Sequence, residues 1–236
     1  ANNLKKEFDR EFLIMSAKDY KAFVEMTANR SYDIIITDPH LGRLAELQDG
    51  YAPILRPKAN CYVEAVVLEE SSVFEVGGLK NKTIAAPHKL AQTTIIGKRI
   101  LKEYNLNPHT DLRFINRLDH RNALLALSKG EADAAIVSSL ALIHAKSAVP
   151  QKLRILPQTY DDKANKGEMP MIYMLSPNLD KELGKSIKIS IEKFANNDPK
   201  GKEWIDKLKH EGVREPNLEE LLLLDSYMAD LKEGLE

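Results

Sequence analysis

The groups in this chain best suited to gripping a small ligand begin with Ala91-Gln92-Thr93-Thr94, where a polar loop gives way to an apolar helical pattern near Ile95. Backbone N–H groups at a helix start have no internal partners, and the positive end of the peptide dipoles with two hydroxyl donors suits an oxyanion. Threonine at an N-cap also serves its own helix, so this stretch alone does not establish a site. Thr37 and Asp38 close a β-branched run and lead into Pro39 and His40, while His120 follows Asp119 ahead of another apolar helix. A lone histidine is more often solvated or capped, but these two sit at strand-to-helix junctions, the end of an open α/β sheet where ligands bind. Ser138 and Ser139 close the apolar run Ala134 to Val137, and Tyr62 opens another such run. His88 lies close enough to the Thr93-Thr94 loop to line its opening, whereas His109, His144 and His210 are peripheral.

Metal and nucleophile chemistry finds no support. There is no HExxH, no histidine pair at ligand spacing on one helix, no G-x-S-x-G and no phosphate loop. The Gly77-Gly78 pair precedes a strand without a Lys-Ser/Thr ending and reads as a turn. The single cysteine, Cys61, allows no internal disulfide, and nothing beside it in sequence would lower its pKa, so it reads as a packed thiol. No cofactor and no metal are expected.

Lysine and arginine number 34 against 35 aspartates and glutamates, which gives no global drive toward nucleic acid or an anionic membrane; any anion site must be local. No run of about twenty apolar residues is present, so membrane insertion of this chain is not expected. A charged segment followed by an apolar one does not open the sequence, so an exported protein would have lost its signal. With 236 residues, 43% of them hydrophobic, the chain can bury one large core or two modest ones.

The elements that must position these groups alternate between helix and strand, which argues for α/β architecture with largely parallel sheets. Phe12-Leu13-Ile14-Met15 reads as a short strand, Ser16 to Asp19 as N-cap candidates for a helix through Met26, and Asp33 to Thr37 as a buried parallel strand leading to a helix from His40 to Leu47. Tyr62 to Leu68 is a strand; Gly77 to Lys82 then breaks the pattern and marks a change of lobe. Beyond it come a strand from Thr83, a helix opened by Thr93-Thr94 and running through Tyr104, a strand from Leu112 to Ile115, a helix from Asn122 to Leu127 and a strand from Ala134 to Val137. After Pro157 and the polar stretch Asp161 to Lys166, a strand from Met171 to Leu175 and helices from Lys181 and Lys200 return to the first lobe. The expected division is residues 1–75 with 165–236 as one lobe and 76–164 as the other. Trp204 is expected to anchor the penultimate helix, and Leu221 to Leu224 to pack as an amphipathic terminal helix.

An internal repeat underlies this division. Phe23 to Pro39 overlays Ala123 to Ser139 as helix, polar turn, strand and loop, with Asp33 on Asp133. Each copy would present a loop at the carboxyl end of a strand.

Asp33-Ile34-Ile35-Ile36-Thr37-Asp38-Pro39, the Cys61-Tyr62 strand and Leu79-Lys80-Asn81-Lys82-Thr83-Ile84-Ala85 together resemble the phosphonate, phosphite and phosphate-type substrate-binding proteins of ABC transporters. So do Leu118 to Leu124, Gly130 to Ala135 and Leu224 to Tyr227. The resemblance implies a two-lobed type 2 periplasmic-binding-protein fold whose lobes, each a mostly parallel sheet flanked by helices, close on a ligand. It places the family's oxyanion loop on Ala91-Gln92-Thr93-Thr94, one tyrosine on Tyr62 and the cleft histidine on His120, with Thr37 at a second tyrosine position. The loop departs from the family's Ser-Thr-Ser-Gly type, and the acidic positions of aminophosphonate binders fall near Leu140 and Met169, which speaks against an aminoalkylphosphonate. The family's first strand has no counterpart, since the chain begins in what matches the first helix.

The resulting expectation is a monomeric, extracytoplasmic or periplasmic solute-binding protein, without catalytic activity, that binds a phosphonate- or phosphate-like oxyanion at Thr37, Asp38, His40, Tyr62, Gln92, Thr93, Thr94, His120, Ser138 and Ser139 and delivers it to an ABC permease. Two alternatives stand beside it: an input domain of a membrane-bound sensor, and an enzyme of the same fold using His40 or His120 as a base.

Overall fold

The computed structural model describes residues 2–145, 149–157 and 167–235. In chain order the elements are α1 (Asn2–Phe8), α2 (Tyr20–Ala28), β1 (Ile34–Thr37), α3 (Pro39–Asp49), β2 (Ala52–Pro57), β3 (Val63–Leu68), β4 (Thr83–Ala86), α4 (Gln92–Glu103), β5 (Arg113–Asn116), α5 (His120–Ser128), β6 (Ala134–Ser138) and α6 (Ser139–Ala145). They continue with β7 (Leu153–Ile155), β8 (Ile172–Leu175), α7 (Lys181–Asn197), α8 (Pro199–Lys207), β9 (Val213–Arg214), α9 (Leu218–Leu223) and α10 (Met228–Leu235). Asp161 to Lys166, read above as a polar stretch, lies outside the described residues.

The chain divides into two compact units, Ala1–Ala59 with Met169–Glu236, and Asn60–Glu168. The boundary therefore falls near residue 60 instead of 76. The reason is pairing: β3 joins β6 antiparallel through Val63–Ser138, and joins β7 through Val66–Ile155, so it belongs to the second unit's sheet.

That second sheet has the order β5-β4-β6-β3-β7, with β4 parallel to both β5 and β6. Alternation along the strands sends Ala85, Ala135 and Val137 to one face, where Ala123, Leu124 and Leu127 of α5 bury against them. Leu124 and Leu127, 0% and 1% exposed, each contribute about 1.5–3 kcal/mol by leaving water. Helix α4 lies on the other face, so close that a Cβ on Gly97 would come within 2.6 Å of Ile136.

The first unit's sheet runs β1-β8-β2-β9, and its pairings are antiparallel instead of the parallel ones expected. Leu55, Tyr173 and Val213 pack with Ala195 of α7 and Ile205 of α8 on one face. Gly42 of α3 presses on Ile172 and Met174 on the other. Arg43 ties α3 to the C-terminal turn, its Nε donating to Asp225 at 2.7 Å. Trp204, expected as an anchor, is 47% exposed, because the buried side of α8 carries Ile205 and Gly201.

Residues 12–15 form no strand. Leu13, Ile14 and Met15 are exposed, as is Ile36 on β1, and among the described residues no strand pairs with the outer edge of β1. The repeated units nevertheless agree in local detail, beginning with the residues just ahead of them. Asp19 and Asp119 cap α2 and α5, each accepting the N–H three residues on, from Ala22 at 2.7 Å and Asn122 at 2.8 Å. Arg30 and Gly130 then turn the chain through left-handed φ values of 53° and 72° into β1 and β6.

One ionic cluster makes the first unit acid-sensitive. Glu220 accepts from Arg214 Nη1 at 2.9 Å, from Arg56 and from the N–H of Asn217 at 3.0 Å. Burial pushes this carboxyl up, but Arg214, the Asn217 N–H and Arg56 together outweigh it and hold it down to about 2. A depressed carboxyl supplies stability above its unfolded pKa and loses it as pH falls through the folded one. Acid denaturation followed by circular dichroism is therefore expected to show on the order of 1 kcal/mol lost between about pH 4.5 and about pH 2, solvent screening accounting for the modest size. Glu220→Gln should remove that part of the transition, and an unchanged acid profile would refute the assignment.

Candidate functional site

Strand β4 sends its chain through α4 to β5 on one side, and β5 sends it back through α5 to β6 on the other. The connections leaving β4 and β5 thus run to opposite sides, and in open sheets of this kind ligands bind at the carboxyl ends of the parallel strands. The loop 87–91, Asn116, His120, Ser138 and Ser139 all stand at that end.

At the start of α4 the N-cap is Ala91, which brings no side-chain acceptor. Its carbonyl takes the N–H groups of Thr94 at 2.9 Å and Ile95 at 3.1 Å, and among the described residues no carbonyl takes those of Gln92 and Thr93. Gln92 adds a side-chain nitrogen that is buried with no partner, in a residue only 6% exposed. Each buried donor left without an acceptor costs about 1–3 kcal/mol, so this turn is built at a cost that an acceptor from outside would offset. Thr93 is buried beside it at 8% exposure.

Thr94, also expected at the ligand, turns its hydroxyl inward. It is fully buried and its hydroxyl donates to the Pro87 carbonyl at 3.2 Å. The same carbonyl accepts Asn116 Nδ2 at 2.7 Å, so the end of β5 and the first turn of α4 hold the loop from both sides. Asn116 went unrecognised in the sequence, although its place at a strand's carboxyl end was the available signal.

His120 opens α5, and its Nδ1 accepts the Ser138 N–H at 3.3 Å. His88 is set likewise, its Nδ1 accepting the Leu90 N–H at 3.2 Å. Ser138 Oγ accepts from the Ala141 N–H at 3.2 Å. Ser139 and Tyr62 bind reciprocally: the Tyr62 N–H donates to Ser139 Oγ at 3.0 Å, and the Ser139 N–H donates to the Tyr62 carbonyl at 2.8 Å. Gly167, at φ +80°, lies so close to the Tyr62 ring that a Cβ would stand 2.9 Å from Cζ; no side chain fits there, and the ring is held in place. Cys61, read as a packed thiol, is half-buried and bridges to Glu168.

In the first unit, Thr37 and Asp38 stand at the end of β1, where Tyr20 donates its hydroxyl to Asp38 Oδ2 at 3.2 Å. Burial first, then the Asp38 charge, pushes the Tyr20 phenol far above its ordinary range, so it remains a donor. His40 is fully buried, its ring 5.6 Å from that of Tyr227. The structure thus places this expected binding residue in the packing between α3 and the C-terminal turn. Among the described residues no group of three or more His, Cys, Asp or Glu side chains is arranged to hold a metal, and no helix is long and apolar enough to cross a membrane.

The profile of the family described as "ABC transporter, phosphonate, periplasmic substrate-binding protein" matches residues 1–221. No curated protein matches the sequence. Among solved structures, PhnD1 from Prochlorococcus marinus in complex with methylphosphonate superposes with a TM-score of 0.83 at 14% identity, covering 98% of this chain and 90% of that one. A binding protein component of an ABC phosphonate transporter from Pseudomonas aeruginosa gives a TM-score of 0.81 at 12% identity, over 99% of this chain and 80% of that one. The alkanesulfonate-binding protein SsuA from Xanthomonas axonopodis pv. citri, bound to MOPS, gives 0.66 at 16% identity, over 98% and 86%. At these identities the likeness shows the fold, an α/β architecture of mixed sheets flanked by helices.

Proposed function

Since the chain belongs to the phosphonate family of periplasmic substrate-binding proteins of ABC transporters, and is thus a ligand-binding transporter component, we propose that it holds a small oxyanion at the first turn of α4. The observation that carries this reading is the uncapped turn, where among the described residues no carbonyl accepts the N–H groups of Gln92 and Thr93 and the buried Gln92 side-chain nitrogen has no acceptor. A tetrahedral oxyanion supplies several acceptors at once, and the dipole of a twelve-residue helix favours its charge. In the second unit, His120 through Ser138 and Tyr62 through Ser139 reach the end of β6 and belong to the same reading; Thr37 and Asp38, at the end of β1, are proposed for the first unit.

PhnD1 is described in complex with methylphosphonate and SsuA with a sulfonate buffer, which makes both ligand chemistries reasonable for this chain. The protein binds and releases its ligand unchanged, in the extracytoplasmic space, and passes it to a permease. In a thermal-shift measurement, methylphosphonate at a hundred times its Kd is expected to add about 2.7 kcal/mol of stability. Phosphorus-31 spectra should show the ligand recovered intact after prolonged incubation. Absence of any shift with phosphate, phosphite, methylphosphonate and sulfate would defeat the oxyanion reading.

A further inference from the structure

Between α3 and α10 the first unit holds an open apolar cavity of about 440 Å³. Leu44, Leu47 and Gln48 line it from α3, and Met228, Lys232 and Leu235 from α10. Spacings of three and four residues put each trio on one helix face, so two faces meet without filling the space between them. Protein interiors are close-packed, and two helices free to approach would close such a gap. Here each is fastened elsewhere. Helix α3 presses Gly42 on Ile172 and Met174, and Arg43 binds Asp225 of the C-terminal turn. That turn buries Leu224 and Tyr227, and α10 buries Leu231, none of which lines the cavity. Leu47 is left 54% exposed on the cavity wall. An isolated exposed leucine is ordinary, but one that shares a cavity with three other apolar side chains is part of a binding space.

The charge on the walls narrows the kind of ligand. Lys232 is the one charged residue of the lining; it is exposed and joins no ion pair among the described residues. Glu46 of α3 and Asp225 of the turn are both held by Arg43. We propose that this cavity takes a small amphiphile, a flexible apolar chain ending in one negative charge, as in a medium-chain fatty-acid anion. The chain lies along Leu44, Leu47, Met228 and Leu235, and the head meets Lys232. The volume falls in the range of small-molecule sites, which favours such a ligand over a second protein surface. The cavity belongs to one unit and uses nothing of the α4 turn, so this proposal stands apart from the oxyanion reading.

Calorimetric titration of the whole protein with hexanoate, octanoate, decanoate and octanol, each below its micelle-forming concentration, tests this. Full burial of a methylene is worth about fourfold in affinity, so in an open cavity the carboxylates should gain at least about twofold per methylene. Octanoate should bind about two- to fivefold more tightly than octanol, and Lys232→Gln should remove that preference. Leu47→Asp should abolish octanoate binding and leave the response to methylphosphonate unchanged. Both positions are exposed, so neither change disturbs the core. Absence of binding by decanoate, octanoate binding that survives Leu47→Asp, or a preference over octanol that survives Lys232→Gln would overturn the proposal. So would sedimentation showing that the ligand-free protein self-associates and that Leu47→Asp restores the monomer, because the cavity would then belong to a second copy. Attachment to vesicles of anionic phospholipid without binding of free octanoate would overturn it too, by assigning this face to a bilayer.

Discussion

Thr93→Val is expected to weaken methylphosphonate binding at least tenfold, and His120→Ala to do the same. Valine keeps the volume of threonine and leaves the helix backbone intact, so the change removes a hydroxyl from a residue 8% exposed in the uncapped turn. A hydrogen bond from a buried donor to a charged acceptor is worth about 1.5–3 kcal/mol, and tenfold in affinity is about 1.4. Alanine at 120 removes the imidazole and leaves the Ser138 N–H without its 3.3 Å acceptor. Calorimetric titration of both variants checks the pair, with melting temperatures to confirm that each is folded. Affinities matching the unsubstituted protein in both would remove this turn and this histidine from the site.

Gly201→Ala is expected to be the most damaging small substitution in the first unit. A Cβ there would lie 1.8 Å from the backbone carbonyl oxygen of Phe194, at the junction where Asp198 caps α8 directly after α7. Gly97→Ala meets a side chain, Ile136 at 2.6 Å, which can rotate; a carbonyl locked in a helix cannot. Overpacking costs about 1–3 kcal/mol where neighbours can yield, so Gly201→Ala should reach about 3 and Gly97→Ala about 1. For a chain of 236 residues this corresponds to melting-temperature losses of roughly 6–12 °C and 2–4 °C. The reverse order in calorimetry would contradict the packing described at the α7–α8 junction.

Local order was legible where the signal was local. The helix, polar turn and strand of Phe23 to Pro39 and of Ala123 to Ser139 lie in one repeating sequence pattern and all formed, with Asp19 and Asp119 capping the two helices just ahead of it. Partnership was not legible, because it depends on residues far away in sequence. Ile34 to Thr37 looks the same whether its neighbour is parallel or antiparallel, and the neighbour turned out to be β8, about 140 residues on. Strand β3 belongs with β6 and β7, some 70–90 residues further along, so proximity in the chain misplaced the unit boundary. Strand β2 was missed altogether, since Pro53 and Pro57 demote a strand reading, and the first of them sits where the pairing with β8 shifts register.

The site divides in the same way. That Gln92, Thr93 and His120 begin helices at strand ends follows from hydrophobic period and loop position, and resemblance to a family sharpened it. That Thr94 turns inward to Pro87 and that His40 packs on Tyr227 depends on side-chain direction and tertiary packing, which residue type does not encode. Gly167 against the Tyr62 ring and Tyr20 on Asp38 join residues about 105 and 18 positions apart, with no motif to announce either.

The most direct test of the central claim is an amide proton–nitrogen spectrum of the protein titrated with methylphosphonate. If the oxyanion sits on the uncapped turn of α4, the Gln92 and Thr93 backbone resonances should show the largest shifts, in the downfield direction of a newly formed charged hydrogen bond, with the Gln92 side-chain amide moving alongside them. If the ligand binds while those three resonances stay where they were and others move instead, the oxyanion is held elsewhere and the site described here is wrong.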